Sequence, residues 1–269
     1  MADVISVVNL KGGVGKTAIS VNFAAYCGME GLKTLLIDMD PQTNATFSCI
    51  SVETWKEFSK KYGTLATIMG ARSTSFDKKI PDAKSVIKKN VFENVDLIPS
   101  HLEMFTIDLD ISGVAGREFV LKKSLKDIID GYDIVVCDCP PNLTIPTQNA
   151  IALSKYFVVP VSPDYLSGIG VGLLLSRIDT FRQDLQLPEI PCSGIVLSRV
   201  GRPSYFREES AGSIRQEFPE LTLNGQLTER TVVAESAAKQ LPVFKMGNAD
   251  ASREFKQVSD EILTRMGYE

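Results

Sequence analysis

Four short runs, VISVVN at residues 4–9, LLID at 35–38, DIVVCD at 133–138 and YFVVPV at 156–161, are apolar at successive positions instead of alternate ones. A strand of that composition has no polar face to turn to water, so both sides of the sheet it joins must be covered. Segments of helical period separate the runs, which is the order of βαβ units. Strands are predicted at Val4–Asn9, Thr34–Asp38, Val95–Ile98, Ile134–Asp138, Phe157–Pro160 and Gly194–Leu197, with a weaker one near Leu223–Leu227. Helices are predicted at Lys16–Glu30, closed by Gly31, and at Leu166–Leu185, Ser204–Phe218 and Ala251–Met266. The expected architecture is a three-layer α/β sandwich around a mainly parallel sheet, a single domain over residues 1–269.

With 44% apolar residues the chain has ample material for a buried core, which excludes disordered and small disulfide-stapled classes. Its 29 Lys and Arg against 33 Asp and Glu leave a formal charge of −4, so any contact with a polyanion must come from a local patch. The least regular stretch, Ser51–Asn90, is locally basic: Lys56, Lys60, Lys61, Arg72, Lys78, Lys79, Lys84, Lys88 and Lys89 stand against Glu53, Glu57, Asp77 and Asp82. Its plain reading is a solvated helical excursion between two strands. The one histidine, His101, excludes histidine-cluster metal sites and reads as structural. Cys27, Cys49, Cys137, Cys139 and Cys192 are odd in number and mostly set in apolar runs, as expected of reduced, buried thiols in the cytosol. MADVISVVNL has no basic region ahead of its apolar stretch, and no window approaches the ~18 apolar residues of a spanning helix, so neither a signal peptide nor a membrane span is expected.

Directly after the first predicted strand comes Lys11-Gly12-Gly13-Val14-Gly15-Lys16-Thr17, followed by Ala18 and a helix-compatible stretch. A glycine-rich turn at a strand–helix junction lets successive backbone N–H groups surround a phosphate while the helix N-terminus adds its positive dipole. Lys16 would then reach the β- and γ-phosphates and Thr17 would place a hydroxyl on Mg2+. The common form of this loop has glycine where Leu10 stands here, and a second lysine, Lys11, follows it. Asp38 and Asp40 leave the end of an apolar strand at a spacing of two, and Asp138 ends another. Carboxylates there face the crevice where α/β proteins bind ligands, although a strand end also carries such a polar cap for structural reasons alone.

The chain resembles the deviant-Walker ATPases of the ParA/MinD family, whose loop reads KGGxGK[ST]. The likeness runs through LLIDMDPQTNAT at 35–46, LIPSHLEM at 97–104, GREFVLKKSL at 116–125, YDIVVCDCPPNL at 132–143 and AESAAKQLPV at 234–243, and is closest to the ParA (Soj-like) partition branch. The resemblance implies a P-loop NTPase fold of the deviant Walker A type that uses ATP and Mg2+ and hydrolyses ATP slowly. It implies a homodimer in the ATP state, with Lys11 reaching the partner's phosphates, Asp40 orienting or activating the attacking water, and Asp40 and Asp138 holding the Mg2+ shell through water. Cys139-Pro140-Pro141-Asn142 falls where a γ-phosphate-sensing switch would lie. Ser198, Arg199 and the region near Thr228–Thr231 are the expected adenine contacts.

Switches of this family bind a surface with ATP and release it when a ParB-like partner stimulates hydrolysis. Non-specific DNA is the expected surface, with Arg202, Arg207 and Arg230 the leading contacts and nucleoid association in the ATP state. Where partition ATPases usually carry IPRNVRxSEA, however, this chain places Glu229 and Val232 at basic positions and displaces Arg230 by one. A ParA-like positioner of a protein cargo is the alternative. A MinD-like membrane ATPase would need a basic amphipathic C-terminal helix, and REFKQVSDEILTRM mixes both charges. An iron-protein-like electron carrier, the remote alternative, would need two exposed cysteines per subunit to bridge a cluster.

Overall fold

The computed structural model describes residues 2–70, 82–164, 167–201 and 205–269. Among these residues eight strands form one sheet: β1 (Asp3–Val7), β2 (Thr34–Asp38), β3 (Lys88–Phe92), β4 (Val95–Ile98), β5 (Ile134–Asp138), β6 (Tyr156–Val161), β7 (Cys192–Val200) and β8 (Thr222–Thr228). The order across the sheet is β3-β4-β2-β5-β1-β6-β7-β8, and every neighbouring pair is parallel except the β3–β4 hairpin. The helices are α1 (Lys16–Met29), α2 (Asn44–Cys49), α3 (Val52–Tyr62), α4 (Leu65–Met69), α5 (Ile107–Asp110), α6 (Val120–Ser124), α7 (Lys126–Ile129), α8 (Ile145–Leu153), α9 (Ser167–Asp184), α10 (Tyr205–Glu217), α11 (Thr231–Ala238) and α12 (Ala249–Arg265).

Alternate residues of each central strand enter opposite layers, as the pleat requires. Val4, Leu35, Ile37, Val135, Cys137 and Val159 pack with helices α4 to α10. Ile5, Val7, Leu36, Ile134, Val136 and Val158 pack with α1, α2, α11 and α12. Parallel register sets Val7, Asp38 and Asp138 side by side at the carboxyl edge of the sheet. All three layers of the expected sandwich are therefore present, and the polar strand ends meet at one crevice.

Strand β1 stops two residues before the predicted Asn9, because Asn9 turns out of the ladder. Its Nδ2 donates to Pro160 O at 2.6 Å and its Oδ1 accepts the Lys11 N–H at 2.8 Å, which starts the glycine loop. The described part of the 51–90 stretch is more regular than its composition suggests. Ser51 caps α3 by accepting the Thr54 N–H at 3.2 Å, and α3 exposes Lys56, Lys60 and Lys61. Arg72, Lys78 and Lys79 lie outside the described residues. The edge strand β3 was not expected, since KKNVF carries two lysines and Asn90 sits at φ 55°. Asp96 on β4 secures it, accepting the Asn90 N–H at 2.9 Å, Lys89 Nζ at 2.7 Å and Tyr132 Oη at 2.7 Å.

Helix α1 lies so close to that hairpin that a Cβ on Gly28 would stand 2.1 Å from Glu93 O and 2.8 Å from Val95 Cγ2. Alanine is the better helix former by about 1 kcal/mol, but a backbone carbonyl cannot yield as a side chain can. Gly28→Ala is therefore expected to destabilise the fold by about 1–3 kcal/mol. Urea unfolding followed by circular dichroism checks this, and an unchanged midpoint would contradict it.

Candidate active site

The loop between β1 and α1 takes its shape from two glycines in the left-handed region, Gly13 at φ 73° and Gly15 at φ 85°. Gly15 is also the N-cap of α1, and it offers no side-chain cap; the first turn holds no acidic residue. The N–H groups and dipole of α1 are thus left for an external anion. Leu10, which stands where glycine is common, packs partly buried against the core and anchors the loop's entry.

The two loop lysines have different surroundings. Lys16 is 7% exposed, and its Nζ donates to Lys11 O at 2.9 Å and Asn9 O at 3.2 Å. Burial pulls its ammonium below the usual lysine range, opposed by the charges of Asp138, Cys139 and Asp40. Lys11 is 55% exposed at the other end of the loop, and its Nζ pairs with Asp164. Ser167 Oγ donates to Asp164 Oδ1 at 2.8 Å and so holds that carboxylate in place.

Asp138 is buried at the end of β5 and accepts Thr17 Oγ1 and Ser20 Oγ, each at 2.8 Å. Beside it in register, Asp38 accepts the Thr46 N–H at 2.8 Å, Thr46 Oγ1 at 2.6 Å and the Asp40 N–H at 3.1 Å. Asp38 is therefore the brace of the β2–α2 loop. Asp40 accepts the Gln42 N–H at 2.9 Å and lines the cleft. Burial raises both Asp38 and Asp138 above the ordinary carboxylate range; the Asp138 charge adds to the effect on Asp38, and the Thr17 and Ser20 hydroxyls oppose it at Asp138.

The cleft has a volume of about 850 Å3. Gly12, Gly13, Gly15, Lys16, Thr17, Ala18, Asp40, Ser198 and Arg199 all line it. Val14 is buried behind the loop, where its carbonyl accepts Ser198 Oγ at 2.6 Å. Arg199, at φ 51°, donates Nη1 to Gly13 O at 2.7 Å and pairs with Glu229, whose carboxyl is held below its usual range by that guanidinium. Ser198 and Arg199, two of the predicted adenine contacts, thus brace the loop from β7. Thr228, Val233, Ala237, Leu241 and Phe255 form the more apolar end of the cleft.

Arg230 also lines the cleft, pairs with Glu254 at 2.8 Å and lies 4.0 Å from Asp250. Arg207 is on α10 near Glu229, and Arg202 lies outside the described residues. Cys137 and Cys139 are both buried, so they do not present the exposed pair that a bridging cluster needs. Helix α12 buries Phe255, Val258, Ile262 and Leu263 in the core and keeps no free apolar face for a bilayer. Among the described residues no helix is long and apolar enough to cross a membrane. His101 accepts the Glu103 N–H at 3.1 Å and caps a short turn, a structural role. Ser20 and Asp164 were missed by sequence reasoning, and Glu229 was not expected to pair with Arg199. Ser20 alone had a local signal, one helical turn beyond Lys16.

A glycine loop opening a helix, with lysine and threonine at its start and a buried aspartate on a neighbouring strand end, defines a P-loop nucleotide-binding protein. The AAA domain family matches residues 2–188. The cell division protein PomZ of Myxococcus xanthus is 32% identical over 96% of this chain and 77% of its own. The sporulation initiation inhibitor protein Soj of Bacillus subtilis is 26% identical over 91% of each chain. The ATP complex of Cyanothece McdA superposes with a TM-score of 0.81 at 17% identity, covering 100% of this chain and 97% of that one. The chain belongs to the ParA/MinD family of ATPases, and it is Soj-like.

The residues fit Mg2+ and a triphosphate. Thr17 and Asp138, already joined, would hold the ion, with Asp40 of the same cleft as the third candidate. Because Asp138 titrates above its unfolded value, its ionisation costs the nucleotide-free fold stability as pH rises from about 4 through the raised value. Metal binding requires the carboxylate and should expel that proton. Asp138→Asn is therefore expected to raise the nucleotide-free Tm at neutral pH, by about 2–4 °C per kcal/mol gained. The same change should reduce the proton release on Mg2+·ATP binding, seen by calorimetry in buffers of different ionisation enthalpy. A lowered Tm with unchanged proton release would contradict the assignment.

Proposed function

We propose that this chain is an ATP-driven switch: it binds ATP with Mg2+, closes as a homodimer on the nucleotide, holds DNA without sequence preference, and lets go when a ParB-like partner stimulates hydrolysis. The carrying observation is the unequal placement of the two loop lysines. Lys16 is buried in its own cleft, whereas Lys11 is exposed at the rim and meets Asp164, itself 39% exposed. A cation at the rim is suited to a phosphate brought by a second subunit, and turnover without that subunit would be incomplete.

Phosphoryl transfer asks for positioning and charge neutralisation more than for covalent chemistry. Bound Mg2+ would supply neutralisation of the phosphate oxygens. Lys16 adds a buried positive charge at the start of α1, Asp138 orients the Thr17 hydroxyl, and Asp40 orients the attacking water and accepts its proton. Asn142 and its prolines follow Asp138 directly, which suits a loop that senses the third phosphate.

For the bound surface we favour DNA, contacted through Arg202 and through Arg207 of α10, with nucleoid association in the ATP state. Arg230 contributes less, because Glu254 and Asp250 already neutralise it. That pairing, with the Arg199–Glu229 pair, supports positioning of a protein cargo as the second reading.

Asp40→Ala is expected to slow hydrolysis by about 10²–10⁴ and to persist as an ATP-bound dimer that retains random-sequence duplex DNA. Retention should fall steeply with salt, each neutralised phosphate adding about 0.9 to the logarithmic slope. Arg207→Ala should weaken it, and Lys16→Ala, deprived of ATP, should show none. Retention indifferent to nucleotide, or none at low salt with ATP, would contradict the DNA reading.

A further inference from the structure

The segment after β4 is apolar on two sides. The turn Leu102–Phe105 and α5 direct Met104, Ile107 and the following Ile111 into the core. Leu102, Phe105 and Leu109 are 59%, 56% and 78% exposed. Each triplet recurs at i, i+3 and i+7, so one helical stretch carries a buried stripe and a second apolar stripe facing water. A contiguous apolar patch of this kind marks an interaction surface. The segment itself is acidic: residues 101–116 carry Glu103, Asp108 and Asp110 and no Lys or Arg. The first cation beyond, Arg117, pairs with Glu118.

The same segment is bonded to both loops of the active site. Ser100 N–H donates to Thr46 Oγ1 at 3.0 Å, and Thr46 in turn donates to Asp38, the brace that also holds the Asp40 N–H. On the other side Asp108 Oδ1 accepts the Ile145 N–H at 2.8 Å, which fixes α8 just beyond Asn142.

We propose that the Leu102–Phe105–Leu109 surface docks a short basic amphipathic helix of the protein that stimulates hydrolysis, a proposal that rests on the partner-stimulated switch described above. The occupant presents apolar residues at helical spacing to the stripe and Lys or Arg to the flanking carboxylates. A second copy of this chain would bring like charge against like in a two-fold contact, and an anionic lipid surface would be repelled. Docking would then bear on Asp40 and Asn142 through the Thr46 and Ile145 hydrogen bonds.

Trp55, the sole tryptophan, reports on the surface, since its ring stacks 5.3 Å from His101, the residue before Leu102. The probes are a synthetic helical peptide with leucines at helical spacing among lysines, and its counterpart with glutamates for lysines. The lysine peptide should shift Trp55 emission and raise ATP turnover of the full chain; the glutamate peptide should do neither. The double variant Phe105→Ser, Leu109→Ser should lose about tenfold or more in peptide affinity. It should keep unstimulated turnover and ATP-dependent dimerisation. Leu109→Lys, a single exposed change, should also weaken the lysine peptide. Equal binding of both peptides, or undiminished binding by the variants, overturns the proposal. Self-association without peptide that the double variant abolishes also overturns it, by making the occupant a second copy. If the natural chain binds the peptide through this stripe but neither dimerises with ATP nor hydrolyses it, the switch reading fails and the stimulating role fails with it, while peptide affinity still locates the surface.

Discussion

Two carboxyls out of reach of water, Asp38 and Asp138, organise the active site, and most of its other contacts follow from how they are satisfied. Parallel pairing of β2 and β5 puts them at the same height. Neither ionises readily there, so each is surrounded by donors: Thr17 and Ser20 from α1 for Asp138, Thr46 and the Asp40 N–H for Asp38. The first helix, its glycine loop and the loop of Asp40 are thereby tied to adjacent strand ends. A magnesium ion would take up a charge that the protein alone holds at a cost.

Around this buried pair the rim is made of exchangeable contacts. Lys11 with Asp164 and Arg199 with Glu229 are exposed ion pairs, a kind worth about 1 kcal/mol or less. Such pairs give way to a phosphate or a second subunit without disturbing the core. The contrast between a rigid floor and a loosely paired rim suits a family whose members change partners with the state of the nucleotide.

Much of this floor is readable in the sequence. TLLID and IVVCD are apolar throughout and end in aspartate, so β2 and β5 announce both their extent and their polar ends. The glycine loop is equally plain, because Gly13 and Gly15 stand where only glycine takes the required φ without strain. KKNVF gives no such signal: β3 is an edge strand whose lysines suit its position, and of the residues that secure it Asp96 is on the next strand while Tyr132 is remote in the chain. Asp164 meets Lys11, and Glu229 meets Arg199, only through the crossovers of β6, β7 and β8. The stripe of Leu102, Phe105 and Leu109 is hidden in sequence by the buried stripe woven through it.

We propose that each active site is completed by the Lys11 of the other subunit. Lys11→Ala and Asp40→Ala chains, mixed before ATP is added, test it directly, since in a mixed dimer one site has both its own Asp40 and a partner lysine. With equal amounts and random pairing, the mixture should recover about a quarter of natural turnover from two nearly inactive parents. Turnover no greater than the average of the parents, with mixed dimers shown to form, would contradict it.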